Sequence, residues 1–381
     1  MKLIHLSDLH IGKKVNGFSM IEDQKFILIK ILGIIEEVKP DGVIIAGDIY
    51  DKGIPPAEAV TLFDDFLYKL SEKELKVFII SGNHDSAERL SFGSRIMSGN
   101  NIFISPVFKG KIAPVTCSDD YGDINFYLLP FIKPIDVRRR FGEMGLDSSL
   151  SYSDAVRIAV DKMEVDPAQR NVIVTHQFVI GAEKSDSEEP CSVGGTDEVS
   201  ADVFDIFDYT ALGHIHGPQS IGKDTIRYCG TPLKYSFSEE HHQKSVTVVE
   251  LKEKGNITVE TIDLCPKREM RTIEGKFEDV YSMNLYTEDY VQVNLTDDEP
   301  TPNALRKLRG VYPNIMILKN GGRSHNFILT AVEEEKLVQD SPLEIVEKFL
   351  RDDEKVILTD EKMKYLKEII SEIWGAKYET D

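Results

Sequence analysis

Five short apolar runs in the first 216 residues of this chain each lead into a residue able to bind a metal ion, and no other feature restricts the fold as much. The run at 2–6 leads into Ser7-Asp8-Leu9-His10, and the run at 42–46 into Gly47-Asp48-Ile49-Tyr50-Asp51. The run at 77–80 precedes Gly82-Asn83-His84-Asp85, that at 171–175 precedes His176-Gln177, and that at 209–212 precedes Gly213-His214-Ile215-His216. Short apolar runs bounded by glycine and polar residues read as buried strands, and the amphipathic stretches at 21–38, 57–70 and 153–163 read as helices between them. In open α/β sheets, ligands collect outside the carboxyl ends of the strands, so these segments can converge on one edge. A single strand-end histidine is usually structural. Five such segments in order, three of them adjoining a glycine, are hard to obtain by chance.

The residue types define the centre further. Five of the nine histidines lie in these pieces. Asp, Asn and His without Cys favour divalent ions of intermediate hardness, such as Mn, Fe, Zn or Co, over a thiolate zinc site. Two ions sharing one carboxylate would lie about 3.5–4 Å apart, and Asp48 is the natural bridge because its two oxygens can divide between them. The expectation is a two-metal phosphoesterase. Two cations also account for an acidic cluster that would otherwise repel a phosphate.

Charge limits what such a centre can do alone. The formal net charge is −20, whereas nucleic-acid binders usually carry a basic face. Bound cations can reverse the local field, or a partner can supply basic surface. Arg138-Arg139-Arg140 is the one arginine triplet; a solvated helix face is its default reading and a contact with backbone phosphate the alternative. Cys117, Cys191, Cys229 and Cys265 lie far apart with no CxxC pair, which fits reduced structural thiols in a cytoplasmic protein. The opening residues lack the basic region of a secretory signal, and the greasiest stretch, 26–35, is interrupted by Lys30 and too short to span a membrane.

The alternating pattern, with further β-rich pieces at 225–228, 244–251 and 256–264, predicts one α/β domain over 1–265. Strands expected at 268–273, 290–295 and 314–318, with helices near 277–286 and 302–309, give a small α+β unit of βαβαβ type over 266–320. Residues 321–340 read as a linker with some local structure. The segment 341–381 reads as helical. Ser341-Pro342-Leu343-Glu344 has the form of a capped N-terminus, and Thr359-Asp360-Glu361 opens a second helix. Met363, Leu366, Ile370, Ile373 and Trp374 share one apolar face, which either docks on its own domain or takes a partner. The polar loop over 181–200, between two metal motifs, suits a substrate rim or a partner contact. His5 reads as a core histidine, His241 and His242 as structural.

Longer motifs carry a resemblance. Asp51 with Pro55-Pro56-Ala57, Gly82-Asn83-His84-Asp85-Ser86, Ser192-Val193-Gly194-Gly195-Thr196 and Gly230-Thr231-Pro232-Leu233-Lys234-Tyr235-Ser236-Phe237-Ser238 join the metal motifs. With them the chain resembles the calcineurin-like metallophosphoesterase superfamily and, within it, the SbcD family of nuclease subunits, over nearly its whole length. The resemblance implies a β-sandwich flanked by helices, a DNA-capping domain at 266–320 and C-terminal helices that bind a coiled-coil ATPase of SbcC type. It implies one ion held by Asp8, His10, Asp48 and His216 and another by Asp48, Asn83, His176 and His214. His84 would remain unliganded and act on the transition state and leaving oxygen; Asp85 would orient its imidazole, and Asp51 would stand near substrate or leaving group.

The implied activity is manganese-dependent DNA cleavage, as a 3′ to 5′ exonuclease on double strands and an endonuclease on hairpins and single strands. It would serve DNA repair, recombination and replication. No Gly-x-x-x-x-Gly-Lys-Ser/Thr loop occurs, so ATP dependence would come from the SbcC-type partner. The resemblance also implies a homodimer within a heterotetramer, cytoplasmic and nucleoid-associated, with no membrane contact. A calcineurin-like phosphatase or phosphodiesterase acting on small molecules or phosphoproteins remains the alternative, because the fold core alone does not choose between them.

Overall fold

Apolar β-branched runs with helices between them produce two sheets in the computed structural model, which describes residues 1–142, 146, 149–188, 197–283, 286–299, 301–320, 327–330, 362–367 and 369. Leaving aside two-residue ladders, the strands are β1 (Lys2–Leu6), β2 (Gly42–Ala46), β3 (Lys76–Ile80), β4 (Ile102–Ile104), β5 (Val115–Asp119), β6 (Gly122–Leu129), β7 (Arg170–His176), β8 (Tyr209–Gly213), β9 (Gln219–Ile221), β10 (Lys223–Tyr228), β11 (Ser245–Leu251) and β12 (Ile257–Asp263). The first sheet has the order β12-β11-β1-β2-β3-β4 and the second β9-β10-β8-β7-β6-β5. In the first, β1 to β4 run parallel. In the second, β6, β7, β8 and β10 do. Parallel strands buried on both faces need apolar residues at consecutive positions, which is why they read as unbroken runs.

The sheets meet face to face. Leu3, Ile44, Phe78 and Ile80 of the first form one core with Phe126, Leu128, Val174 and Ala211 of the second. The Phe78 and Phe126 rings stack with centroids 4.0 Å apart. His5 belongs to this interface, fully buried, with Nδ1 2.9 Å from the Tyr209 hydroxyl; burial pushes it down to about 3 and keeps it neutral. The outer face of the second sheet packs Tyr127, Ile173 and Leu212 with Val137, Val156 and Val160.

Those valines come from two helices. Among the described residues, the four long helices of this unit are α1 (Ile21–Val38), α2 (Ala57–Ser71), α3 (Pro134–Phe141) and α4 (Tyr152–Asp161). In α1, Ile27, Ile31 and Ile35 recur on one buried stripe, with Glu22 and Asp23 in the positive first turn. Lys39 ends it in the left-handed region just before Pro40, which cannot continue a helix. In α4 the Ser151 hydroxyl caps the Asp154 amide at 3.0 Å.

The chain divides into two units, Met1–Val15 with Ser19–Arg271 and Asn16–Phe18 with Thr272–Asp381. The second unit places strands Met270–Gly275, Tyr290–Leu295, Ile315–Asn320 and Phe327–Thr330 side by side in that order. Helices Phe277–Ser282 and Ala304–Leu308 contribute Val280, Leu305 and Leu308 to its core with Val291, Val293 and Ile315. The fourth strand, antiparallel to Ile315–Asn320, lies inside the segment expected to be a linker. The Ser192–Thr196 motif, His325, and in the tail Ser341 to Glu344, Thr359 to Glu361, Ile370, Ile373 and Trp374 lie outside the described residues.

Candidate metal centre

The carboxyl ends of β1, β2, β3, β7 and β8 bring together all seven residues expected as ligands. Beyond the end of β1 the main chain keeps bonding to the loop after β2: Asp8 donates to the Gly47 carbonyl at 3.0 Å, His10 to Asp48 at 2.9 Å and Ile11 to Ile49 at 2.9 Å. Holding the side chains inward costs backbone strain. Asp8 (φ 52°), His10 (φ 44°), Asp48 (φ 48°) and His214 (φ 102°) all have positive φ. Such positions are rare outside glycine and collect at functional sites, where the surroundings enforce them. Gly82 has no room for a side chain, because a Cβ there would collide with the Asp48 carboxylate and amide.

Contacts across the two sheets complete the centre. His214 N–H donates to both Asp8 carboxylate oxygens at 3.1 Å. His176 Nδ1 donates to the Ala46 carbonyl at 2.8 Å, so its Nε2 faces Asn83 Oδ1 at 3.0 Å and Asp48 Oδ2 at 3.3 Å. Asn83 Oδ1 also lies 3.0 Å from His214 Nδ1. His10 Nε2 and His216 Nε2 face each other at 3.2 Å. Asp8, His10 and His216 form one group whose donor atoms converge within ion-binding range, and Asp8, Asp48 and His176 form another. A third joins His10, Asp48 and His84, so the histidine expected to stay unliganded stands within reach of the bridge.

Burial makes the bare site electrostatically costly. It pushes the Asp8 carboxyl up to about 7 and holds His10, His214 and His216 neutral by lowering them, His214 to about 3. His176 runs the other way: burial would lower it, but the Asp48 and Asp8 charges outweigh that and raise it to about 9. Burial also works to raise Asp48, and the charge of His176 together with its hydrogen bond overcomes it. Two buried carboxylates, an amide oxygen and imidazole nitrogens gathered at these strand ends are a donor set for divalent cations of intermediate hardness. Cys229, the thiol nearest by, sits behind Asp8 with Sγ 3.1 Å from the Ser7 hydroxyl.

The remaining expected residues divide. His84 stands at the rim, its Nδ1 3.0 Å from the Asp51 backbone carbonyl and its Nε2 4.0 Å from Asp48 Oδ2. The Asp51 side chain pairs with Lys13 at 2.8 Å. Asp85, expected to orient the His84 ring, holds the main chain of the site loops. Its carboxylate accepts from the amides of Ile49 at 3.1 Å, Tyr50 at 3.0 Å and Gly82 at 3.0 Å, and so braces two site loops against each other. Burial and the Asp48 charge push it up to about 6.

Other contributors have no metal-ligand signature. Tyr235, inside the 230–238 motif, donates its hydroxyl to the Leu9 carbonyl at 2.7 Å and sets its ring edge-on to His10. Gln24 of α1 ties that hydroxyl to the His10 carbonyl, at 3.0 and 2.7 Å. From the 181–188 part of the polar loop, Ser187 and Glu188 reach His216.

Comparison with known proteins follows this geometry. A family described as Calcineurin-like phosphoesterase matches residues 1–218, and one described as Type 5 capsule protein repressor C-terminal domain matches residues 266–354. The chain is 32% identical to the SbcD component of the nuclease SbcCD of Staphylococcus epidermidis over 372 residues, which is 96% of this chain and 98% of the relative. Among solved structures, a dimetal phosphatase from Danio rerio aligns at 11% identity with a TM-score of 0.37, over 70% of this chain and 99% of its own.

Proposed function

We propose that this chain, which belongs to the calcineurin-like phosphoesterase family and within it to the SbcD nucleases, hydrolyses DNA phosphodiester bonds at a two-metal centre. One observation carries the reading. The Asp48 carboxylate lies 3.7 Å from His10 Nε2, 4.0 Å from His84 Nε2 and 3.3 Å from His176 Nε2, at the meeting point of both ligand sets. Asp8, His10, Asp48 and His216 would hold one cation and Asp48, Asn83, His176 and His214 the other, with manganese the preferred ion. When bound, the pair would acidify the attacking water and neutralise charge on the phosphoryl oxygens.

The chain's own residues do the rest. The Asp51 carbonyl accepts a hydrogen bond from the His84 Nδ1–H, which orients Nε2 toward the bridge, where a proton carried on Nε2 would pass to the departing oxygen. Lys13, paired with Asp51, adds positive charge at the same rim. Arg139 and Arg140 are exposed on α3 and line a recess with Phe131 and Glu88; Phe131 lies edge-on to His176.

Cleavage would be 3′ to 5′ on double-strand ends and endonucleolytic on hairpins and single strands, gated by an SbcC-type ATPase that binds the 341–381 segment. The 266–320 domain would position the DNA. Ile54, Phe92 and Ile96 are exposed apolar side chains on neighbouring segments of the first unit and would seat a second copy within a heterotetramer. The setting would be DNA end repair, recombination and replication at the nucleoid. No helix among the described residues is long and apolar enough to cross a membrane.

A gel assay with manganese, comparing labelled hairpin DNA with p-nitrophenyl phosphate, tests the chemistry; hydrolysis of the monoester alone sinks the nuclease reading. Adding the ATPase with and without ATP tests the partnership. Deleting residues after 340 should weaken copurification with the ATPase and leave metal binding intact.

A further inference from the structure

His216 is held on every side. Its Nε2 faces His10 in the centre, while its Nδ1 lies 2.5 Å from the Ser187 hydroxyl. That hydroxyl is also 2.6 Å from Glu239 Oε1, and the other Glu239 oxygen is paired with Lys244. The carbonyl of His216 accepts from the same Lys244 ammonium at 2.8 Å, and its N–H donates to Glu188 Oε1 at 2.8 Å. Glu239 is fully buried and Lys244 nearly so.

Donor and acceptor arithmetic fixes the proton positions. A carboxylate in a buried ion pair only accepts, so the Ser187 proton must point at Glu239. The Ser185 hydroxyl, 2.9 Å from Ser187 Oγ, donates its own proton to Glu188, so Ser187 has only lone pairs left for the imidazole. His216 must therefore carry its proton on Nδ1 and present a bare Nε2 to the centre, the form needed to ligate a cation.

We infer that Ser187 is a positioning residue of the metal centre, which locks the His216 tautomer and ring orientation by relaying the Glu239–Lys244 ion pair to Nδ1. Lys244 stiffens the relay by gripping the His216 main chain as well as Glu239. The polar loop over 181–188 thus acts on the ion held by Asp8, His10 and His216, and is more than a rim. The loop is also anchored away from the proposed ligands: Asp186 N–H donates to the Ser238 hydroxyl at 2.9 Å and Glu183 N–H to Gln219 at 2.9 Å. The inference rests on the two-metal reading but not on DNA being the substrate.

The test is calorimetric titration of manganese into full-length, metal-free protein, with Ser187→Ala and Ser187→Thr beside the parent. Second-layer partners of histidine ligands typically contribute about 10–100-fold to metal affinity. Ser187→Ala should weaken one ion by about that factor, leave the other unchanged and leave the melting temperature of the metal-free protein unchanged; Ser187→Thr should restore binding. Unchanged affinity for both ions overturns the role. So does a uniform loss at both ions with a lower melting temperature, which would mean that Ser187 only supports the fold. A parent protein that binds no manganese overturns this inference and the two-metal reading together. If the parent binds two ions but cuts no DNA, only the nuclease reading fails and the Ser187 comparison still decides.

Discussion

His84 is oriented by a main-chain atom, the carbonyl of Asp51, 3.0 Å from its Nδ1. Because the His84 ring belongs to neither proposed ligand set, the variant His84→Gln should retain two manganese ions by calorimetry. DNA cleavage should fall by about 10²–10⁴-fold, the usual contribution of a positioned general acid. A normal cleavage rate would show that another group protonates the leaving oxygen.

Asp85 has the opposite profile. Its carboxylate satisfies three amides, so Asp85→Ala leaves buried donors orphaned, each costing about 1–3 kcal/mol. Thermal unfolding should show that loss before any assay does, with weaker manganese binding as the two loops drift apart. If melting is unchanged and only turnover drops, Asp85 acts on the chemistry after all.

Gly82 probes the space beside the bridge. Gly82→Ala forces a methyl group into the Asp48 carboxylate and amide, overpacking that costs about 1–3 kcal/mol. Manganese stoichiometry is the readout, and it should fall below two. Two ions bound at parent affinity would mean that the Asp48 loop yields freely.

Far from the centre, Asp119 at the end of β5 binds Arg170 through both carboxylate oxygens, at 2.5 and 3.2 Å. Partial burial works to raise this carboxyl, and the Arg170 guanidinium overrides it and holds the group below the usual carboxylate range. A group lowered in the folded state stabilises the fold above its unfolded pKa of about 4, and loses that contribution as pH falls through the folded value. Asp119→Asn should therefore melt below the parent at pH 7, with the gap closing toward pH 2. A gap that widens in acid contradicts the sign.

The candidate ligands are legible in the sequence because parallel strands must be apolar throughout, so the first polar residue after each run marks a carboxyl edge. Edge strands carry no such mark. In β5 only Cys117 is buried, so no apolar run announces the Val115–Asp119 strand. At Asp85 adjacency does not show the full role: sequence places it beside His84, and the loop also turns its carboxylate back onto the amides of Ile49 and Tyr50. Contacts made by a main-chain carbonyl, such as that of Asp51, have no residue type to announce them. Ser187 and Glu239 are 52 positions apart and meet only through the fold.

Asp48 and His176 come from different sheets and meet only where the two pack, 3.3 Å apart. A chain emerging from the ribosome owns Asp8, His10, Asp48 and Asn83 long before it owns His176, His214 and His216. On the proposed assignment, half-made protein would hold neither ion in full, because His176, His214 and His216 arrive only with the second sheet. Synthesis order would then withhold the proposed activity until the two sheets pack, as Phe78 does on Phe126.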